Sequence, residues 1–221
     1  GRPGNLFFPN ATSVDGQWSM FANTFYGCTG LASIPADLFA KVKTSAQNMF
    51  EGTFYNCKGL TSIPENLFFP NATSVDGKEG MFYYTFLGCT GLKEIPEILF
   101  AKVTTGASNM FQSTFNGCSG LTEIPENLFF PNATSVTGQD SMFYYTFSSC
   151  SGLKEIPANL FAKVSTGAYS MFSNTFRECS GLTEIPENLF FPNETSVDGQ
   201  NYMFDQTFIK CTGLKTINYK N

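Results

Sequence analysis

Apolar and polar residues follow one repeated order along the chain, M-F-x-x-T-F-x-x-C-x-G-L-x-x-I-P-x-x-L-F. Successive copies are offset alternately by 29 and 32 residues, so the full period is 61 residues. The copies begin at Met20, Met49, Met81, Met110, Met142, Met171 and Met203. A fixed period of this length indicates a solenoid, in which each repeat buries its apolar face against its neighbours. We therefore predict a single solenoid domain over residues 1–221 with about seven coils. A half repeat (1–19) precedes the first copy and a curtailed repeat (203–221) follows the last full one.

The first half of each copy predicts a short helix. In one copy, Met110, Phe111, Thr114, Phe115 and Cys118 lie at helical spacing and form one apolar stripe. The residue before each methionine is, in six of the seven copies, one that is favoured at a helix N-cap: Ser19, Asn48, Gly80, Asn109, Ser141, Ser170 and Tyr202. Two residues after each cysteine stands a glycine, which best adopts the left-handed conformation at a helix end: Gly30, Gly59, Gly91, Gly120, Gly152, Gly181 and Gly213.

The second half of each copy predicts a short parallel strand. Leu121 and Ile124 of one L-x-x-I-P segment would face the core, and Pro125 would end the strand because proline lacks an N–H group. The following Leu128 and Phe129 would return to the core. The expected fold class is thus an α/β repeat, with one short helix and one short parallel strand per coil.

Composition and charge exclude several classes of partner. The net charge is −5 and no basic cluster is present, which argues against nucleic acid and against electrostatic docking on anionic lipid. No apolar run approaches the ~20 residues that span a bilayer, so we expect no membrane insertion. No signal peptide is visible, and the chain opens in mid-repeat; we interpret it as a mature or trimmed chain.

The seven cysteines raise the question of disulfides or a metal site. Their 29- and 32-residue spacing matches no zinc motif, because such motifs contain close cysteine pairs. Helices stacked ~8–10 Å apart would also hold equivalent cysteines beyond the roughly 7 Å between Cα atoms that a disulfide needs. We expect a column of buried thiols beside core columns of methionine and phenylalanine. The cysteines are Cys28, Cys57, Cys89, Cys118, Cys150, Cys179 and Cys211.

The chain lacks most of the residues and motifs that are typical of enzymes. It has no histidine, which removes the commonest general base and an imidazole metal ligand. It also lacks a phosphate-binding loop, a nucleophile elbow and a dinucleotide fingerprint. Two carboxylates would suffice for glycoside hydrolysis, but the carboxylates here repeat in register rather than forming one irregular site. We therefore expect no enzyme activity, no cofactor and no metal, with a carboxylate-based glycosidase as a distant alternative.

Two recurrent motifs have both a functional and a turn interpretation. Asn-x-Thr sequons occur at Asn10, Asn71, Asn132 and Asn193. They could carry a row of N-glycans, but copying of a Pro-Asn turn explains their spacing, and we favour the turn. Asp-Gly pairs could suggest calcium; the third long repeat has Thr137 in place of the aspartate, which again favours a turn.

The two x positions of each L-x-x-I segment form what we call the sheet face. Stacked ~4.8 Å apart, they would present a glutamate column beside alternating lysine and threonine. Four like charges in a row cost stability unless the lysines or a cationic ligand offset them. The alternative is a solvated polar face. The candidate binding residues on this face are Lys93, Glu94, Thr122, Glu123, Lys154, Glu155, Thr183 and Glu184.

A second candidate surface consists of two tyrosine pairs on the predicted helix side, Tyr83–Tyr84 and Tyr144–Tyr145. Helical periodicity places them off the apolar stripe and therefore partly in solvent. Partly exposed tyrosines suit contacts with protein or sugar. Other repeats lack the pair, which weakens this candidate.

The segment V-T-T-G-A-S-N-M-F-x-x-T-F-N-G-C-S-G-L-T-E-I-P resembles the BspA-like leucine-rich repeats of bacterial surface proteins. The resemblance covers nearly the whole chain; the strict alternation of long and short repeats departs from it. It implies a right-handed leucine-rich-repeat-like solenoid, secreted or anchored at the cell surface, that binds proteins, other cells or matrix. It supplies no catalytic or ligand-contact residues.

Pattern and resemblance together predict a non-catalytic extracellular binding or adhesion module of a bacterial cell-surface protein. Its ligand would be a protein or glycan on a host or neighbouring cell. The main rival is a structural spacer that projects another domain, and the near-identity of the copies favours that rival. Uncovered solenoid ends also predict end-to-end self-association.

Overall fold

The computed structural model describes residues 6–218 and shows a stack of coils. Residues one repeat apart are joined by backbone hydrogen bonds, such as the 2.9 Å bond from the Phe82 N–H to the Met110 carbonyl. The apolar residues of successive coils form one core cluster that extends from Phe21 to Cys211. The repeats therefore stack as a solenoid around a single continuous core.

The M-F-x-x-T-F-x-x-C segments form ribbons of consecutive tight turns, which we call turn ribbons. In one of them, alternate N–H groups donate three residues back, as from Thr114 to the Phe111 carbonyl at 3.2 Å. The N–H groups between them donate to the next coil, as from Phe115 to the Thr146 carbonyl at 2.9 Å. Both sets of donors are thus satisfied, as buried backbone requires. The ribbons cover residues 19–28, 48–57, 80–89, 109–118, 141–150, 170–179 and 202–211.

No helix forms anywhere in residues 6–218, so the prediction of one short helix per coil is wrong. Each ribbon has a positive φ at every fourth residue, for example 56° at Asn109, 53° at Ser113 and 74° at Gly117. An α-helix has no residue in this region, whereas a chain of turns needs one at each reversal. The seven residues before the methionines, six of which were interpreted as N-caps, are in fact left-handed turn residues, with φ between 50° and 59°.

The glycines that follow the cysteines are needed for close packing between coils. None of them has a positive φ, so the prediction of a left-handed helix end is also wrong. A Cβ atom on Gly120 would lie 2.5 Å from the Thr90 carbonyl oxygen of the preceding coil. Equivalent overlaps, as at Gly59 and Gly152, occur along the column except at Gly30, so these glycines let adjacent backbones approach.

Regular strand is confined to one pair within the described residues. Strands β1 (Glu184–Ile185) and β2 (Thr216–Ile217) pair in parallel, with Glu184 opposite Thr216. Most other L-x-x-I neighbours share one longer hydrogen bond, such as 3.2 Å from the Lys93 N–H to the Thr61 carbonyl. The prediction of one strand per coil is thus confirmed only for this pair. Isolated parallel bridges join Val14 to Val42, Val75 to Val103 and Val136 to Val164.

Columns of phenylalanine rings fill the core. Phe82 stacks on Phe111 at 5.6 Å between ring centroids, and Phe111 on Phe143 at 5.7 Å, with ring planes within 7° of parallel. A second column behaves alike, with Phe86 and Phe115 at 5.6 Å. Such offset contacts add to the burial of aromatic area. The predicted core role of the phenylalanines is therefore confirmed.

The cysteines form a column of free thiols, and six of the seven are buried. Each buried Sγ donates to a phenylalanine carbonyl of the preceding coil, as from Cys89 to Phe54 at 3.1 Å. Burial raises the pKa of Cys57 to about 11 and that of Cys89 to about 12. The prediction of a buried column is wrong only for Cys28, which is exposed because no earlier ribbon covers it in the described residues.

Candidate binding groove on the sheet face

A groove of about 550 Å³ opens on the sheet face, where three successive coils meet. Its floor consists of isoleucine and proline from the I-P pairs of these coils, and its rim consists of glutamates. The lining residues are Ile95, Ile124, Pro125, Ile156, Pro157, Glu97, Glu123, Glu126 and Glu155. Its volume lies within the range of ~300–1,000 Å³ that is typical of ligand pockets.

The floor of the groove is rigid because its isoleucines belong to the core. Ile124 is only 5% exposed and anchors its segment, while the adjacent Pro125 is half-buried and faces the opening. Proline has a fixed φ and no N–H group, so it brings no unsatisfied donor to the floor. The I-P pair recurs in every copy but the last and thus gives the groove an apolar floor at regular intervals.

The rim of the groove carries four exposed carboxylates and no cation. Glu97, Glu123, Glu126 and Glu155 form no ion pair within the described part of the chain. Their one hydrogen bond is long, 3.5 Å from the Asn159 Nδ2 to the Glu126 Oε2. Like charges within a Debye length, about 8–10 Å at ordinary salt, repel one another. The groove is therefore a site of negative potential over an apolar floor.

Only part of the predicted sheet-face set lies in this groove. All eight predicted residues are exposed, but Glu123 and Glu155 are the two that line it. The other six, which do not line it, are Lys93, Glu94, Thr122, Lys154, Thr183 and Glu184. Glu184 lies in β1 and accepts a 3.3 Å hydrogen bond from the Asn218 Nδ2.

Sequence reasoning missed Glu97 and Glu126, which complete the acidic rim. Both follow the proline in I-P-E, a motif that several copies share, and this repetition was the available signal. The signal was overlooked because the predicted strand ended at proline, so the residues beyond proline were not counted as part of the sheet face. In the structure the chain turns after proline, so the residue before isoleucine and the residue after proline meet on one rim.

The lysines of the sheet face do not neutralise the glutamates. Neither Lys93 nor Lys154 forms an ion pair in the range 6–218. Their Nζ atoms lie beside the next coil's glycine, 3.2 Å and 3.4 Å from where a Cβ would stand on Gly120 and Gly181.

The two tyrosine pairs differ in geometry. The rings of Tyr83 and Tyr84 stack at 3.6 Å, and their hydroxyl oxygens are 2.5 Å apart. Tyr144 and Tyr145 meet edge to face at 4.5 Å and 83°. All four are half-buried on the turn ribbons. Burial, followed by the hydrogen bond to Tyr84, raises the pKa of Tyr83, and burial likewise raises that of Tyr144.

Three of the sequon asparagines have a structural contact. The Nδ2 atoms of Asn71, Asn132 and Asn193 donate to alanine carbonyls of the preceding coil, at 2.8 Å in the first two. The bond joins adjacent coils, and the Pro-Asn segments themselves lie in turns, in agreement with the turn interpretation. All three residues are exposed.

Residues 6–218 contain no group of three or more side chains that could hold a metal ion. In the same range, no helix is long and apolar enough to cross a bilayer.

Two solved structures are similar to this chain. A leucine-rich repeat protein from Bacteroides ovatus is 18% identical, with 86% of this chain and 45% of that one covered, at a TM-score of 0.37. A leucine rich cell surface protein from Faecalibacterium prausnitzii is 16% identical, with 90% of this chain and 76% of that one covered, at a TM-score of 0.29. The chain thus spans less than half the length of the first protein. No protein-family model and no curated protein matches it. The chain is similar to leucine-rich repeat proteins of bacteria, the class that its repeat motif resembles.

Proposed function

We propose that this chain is a non-catalytic binding module of a bacterial cell-surface protein, and that it acts outside the cell. Its ligand is a protein that presents a cationic segment to the sheet-face groove. The observation that carries the proposal is the groove itself, with four exposed and unpaired carboxylates above an isoleucine–proline floor.

The shape and chemistry of the groove favour an extended segment with both apolar and basic side chains. Apolar groups would be buried against Ile124 and Pro125. Lysine or arginine would meet the carboxylates on either side, of which Glu123 and Glu155 belong to successive coils. Complementary charge also speeds association by steering the ligand toward the site.

A binding role fits this groove better than a catalytic one. A glycosidase needs one carboxylic acid that stays protonated, and enzymes achieve this by burial or by a paired carboxylate. The four carboxylates of the groove are all exposed to solvent. The groove therefore gives a general acid no dry environment.

The test begins with a screen of purified chain against extracellular-matrix proteins and a glycan panel. A groove variant replaces Glu97, Glu123, Glu126 and Glu155 with glutamine. A matched control variant also removes four negative charges, from exposed residues outside the groove: Asp15→Asn, Glu194→Gln, Asp198→Asn and Asp205→Asn. We expect a protein ligand whose binding the groove variant loses and the control variant keeps. Equal binding by both variants would place the ligand elsewhere.

A structural spacer remains the second candidate, and the core supports it. The stacked columns pass through every ribbon without interruption, for example from Phe143 to Phe172 at 5.5 Å. Such a core would make a stiff rod that holds another domain away from the surface. The spacer predicts that the screen finds no ligand although both variants are folded.

A further inference from the structure

Some positions of the turn ribbons are not copied from coil to coil, and one of them lines a cavity. Phenylalanine directly follows the methionine in every ribbon, and threonine stands three residues further on. Two positions lie between them. The first of these, two residues after the methionine, is different in nearly every coil. In chain order it holds Ala22, Glu51, Tyr83, Gln112, Tyr144, Ser173 and Asp205. Along this column, neighbouring coils therefore present side chains of different chemistry.

A cavity of about 220 Å³ lies where three members of this column adjoin. Its polar walls come from three successive coils, and its aromatic wall is a tyrosine. The lining side chains are Asn48, Glu51, Glu79, Tyr83, Asn109 and Gln112. Glu79 is exposed and the other five are half-buried, so the cavity is open to solvent but most of its walls are packed.

The aromatic wall is held in place by its neighbours. Tyr83 stacks on Tyr84, and the Gln112 Nε2 donates to the Tyr83 hydroxyl at 3.4 Å. Tyr84 approaches Tyr55 at 6.1 Å, and Tyr55 meets Tyr26 at 4.6 Å between ring centroids. The tyrosines thus form a strip along the first three ribbons. Rigid aromatic side chains lose little conformational entropy on binding.

The wall chemistry matches an uncharged sugar ring. The face of an aromatic ring carries partial negative charge and attracts the C–H groups of a sugar. Asparagine and glutamine both donate to and accept from hydroxyl groups, while carboxylates such as Glu51 and Glu79 accept from them. These two carboxylates also disfavour an anionic ligand. The cavity is smaller than the ~300 Å³ lower limit of drug-sized sites, which suits one ring.

We propose that the cavity beside Tyr83 is a subsite for one uncharged sugar ring of an oligosaccharide. The tyrosine strip would receive the rings that follow. This site is separate from the acidic groove, and it takes a ligand of another class.

The chain contains its own comparison site, one 61-residue period further on. Tyr144 and Tyr145 replace the stacked pair but meet edge to face. The polar walls change as well: Gln112 stands at the position of Glu51, Asp140 at that of Glu79, and Ser173 at that of Gln112. We expect no sugar binding there, because the walls are shorter and the aromatic pair is not stacked.

The experiment is saturation-transfer NMR of the full chain with cellotriose, maltotriose and tri-N-acetylchitotriose at millimolar concentration. For at least one of these, we expect Tyr83→Ala and Gln112→Ala each to weaken binding about tenfold, since each removes one wall of the cavity. Tyr144→Ala should change the affinity by less than about twofold, because Tyr144 does not line the cavity. Gln112→Ala leaves the stacked tyrosines intact, so it can still test the cavity if Tyr83→Ala does not fold.

Absence of binding to all three sugars would overturn the proposal. An equal loss in Tyr144→Ala, or full binding by Gln112→Ala and Tyr83→Ala, would also overturn it. The groove variant should keep its sugar binding, so the result does not depend on the function proposed for the groove.

Discussion

The turn ribbons and the sheet face come from the same repeat but differ in how they are held together. In the ribbons the N–H groups alternate between partners within a coil and partners in the next, and buried threonines add further bonds, as from Thr53 Oγ1 to the Phe21 carbonyl at 2.9 Å. On the sheet face a single long hydrogen bond joins most neighbours, and the exposed carboxylates are unpaired. Cohesion therefore resides in the ribbons, and the sheet face is left available for a ligand.

The largest expected difference between the two regions is in core truncation. Phe111→Ala should lower the free energy of unfolding by about 3–5 kcal/mol, because the ring is fully buried between two stacked neighbours. Glu123→Ala on the sheet face should change it by less than about 0.5 kcal/mol, as expected for an exposed, unpaired side chain. Urea unfolding of both variants measures the contrast. Similar losses would mean that the sheet face is structural as well.

A pair of glycine substitutions in one coil distinguishes the turn ribbon from a helix. At Gly117 the φ of 74° is the only obstacle, since an added Cβ would meet its nearest atoms at an ordinary 3.6 Å. Gly117→Ala should therefore cost about 1–2 kcal/mol. In a helix the same change would stabilise the protein by about 1 kcal/mol.

Gly120→Ala supplies the second half of that comparison. Its φ is not positive, but the Cβ would overlap the Thr90 carbonyl oxygen of the preceding coil. Because backbone cannot move aside as a flexible side chain can, we expect a larger loss than at Gly117. Thermal unfolding of the two variants beside wild type would show the order. A smaller loss at Gly120 would contradict the close packing of coils described here.

The sequence predicted the architecture but not the local backbone. Repeat length, the core columns and the exposure of the sheet-face residues follow from the copied pattern. The helix prediction failed because apolar residues at four-residue spacing fit both a helix and a ribbon of four-residue turns. The distinguishing signal was present one residue before four of the seven cysteines, where Gly27, Asn56, Gly88 and Gly117 stand. Residues that favour left-handed backbone at every fourth position indicate turns.

The groove could be predicted only in part for a related reason. Glu123 and Glu155 were found because a strand model places them outward. Glu97 and Glu126 were not, since their position depends on how the chain turns after proline. The sugar cavity depends on side chains from three coils, and their proximity requires the exact offset between coils, which sequence spacing alone does not fix.

The thiol column predicts a smaller effect, on the dependence of stability on pH. The folded chain keeps Cys57 and Cys89 protonated to about pH 11 and about pH 12, respectively, because burial raises their pKa values. The unfolded chain ionises them near the ordinary value of 9.0. Their contribution to stability is therefore complete below pH 9 and is lost as the pH rises toward these folded-state values.

Two measurements check this column. The urea concentration at the midpoint of unfolding should decrease as the pH is raised from 9 to 11. The decrease should be smaller in the variant Cys89→Ala. In the native state at pH 8, a thiol reagent should modify Cys28, the exposed one, and spare the six buried thiols. Rapid modification of several thiols would contradict the buried column.

The smallest effect concerns self-association of the isolated chain. Every backbone–backbone hydrogen bond between ribbons runs from an N–H of one coil to a carbonyl of the next. Within the described residues, the last ribbon accordingly has free N–H groups at Tyr202, Phe204, Gln206, Phe208 and Lys210. The first ribbon has free carbonyls at Met20, Ala22, Thr24 and Tyr26. Such edges are complementary head to tail.

We propose weak end-to-end association, seen as a sedimentation coefficient that rises with concentration. Phe208→Asp, near the middle of the donor edge, should reduce it. A coefficient that stays constant up to millimolar chain would count against this contact.

The most direct test of the central claim is titration calorimetry with a defined probe, a nonapeptide of alternating lysine and valine. We predict that wild type and the control variant bind it with similar affinity, that higher salt weakens binding, and that the groove variant binds at least about tenfold more weakly. Equal binding by all three proteins, or none by wild type at low salt, would contradict the assignment of the sheet-face groove as a site for a cationic ligand.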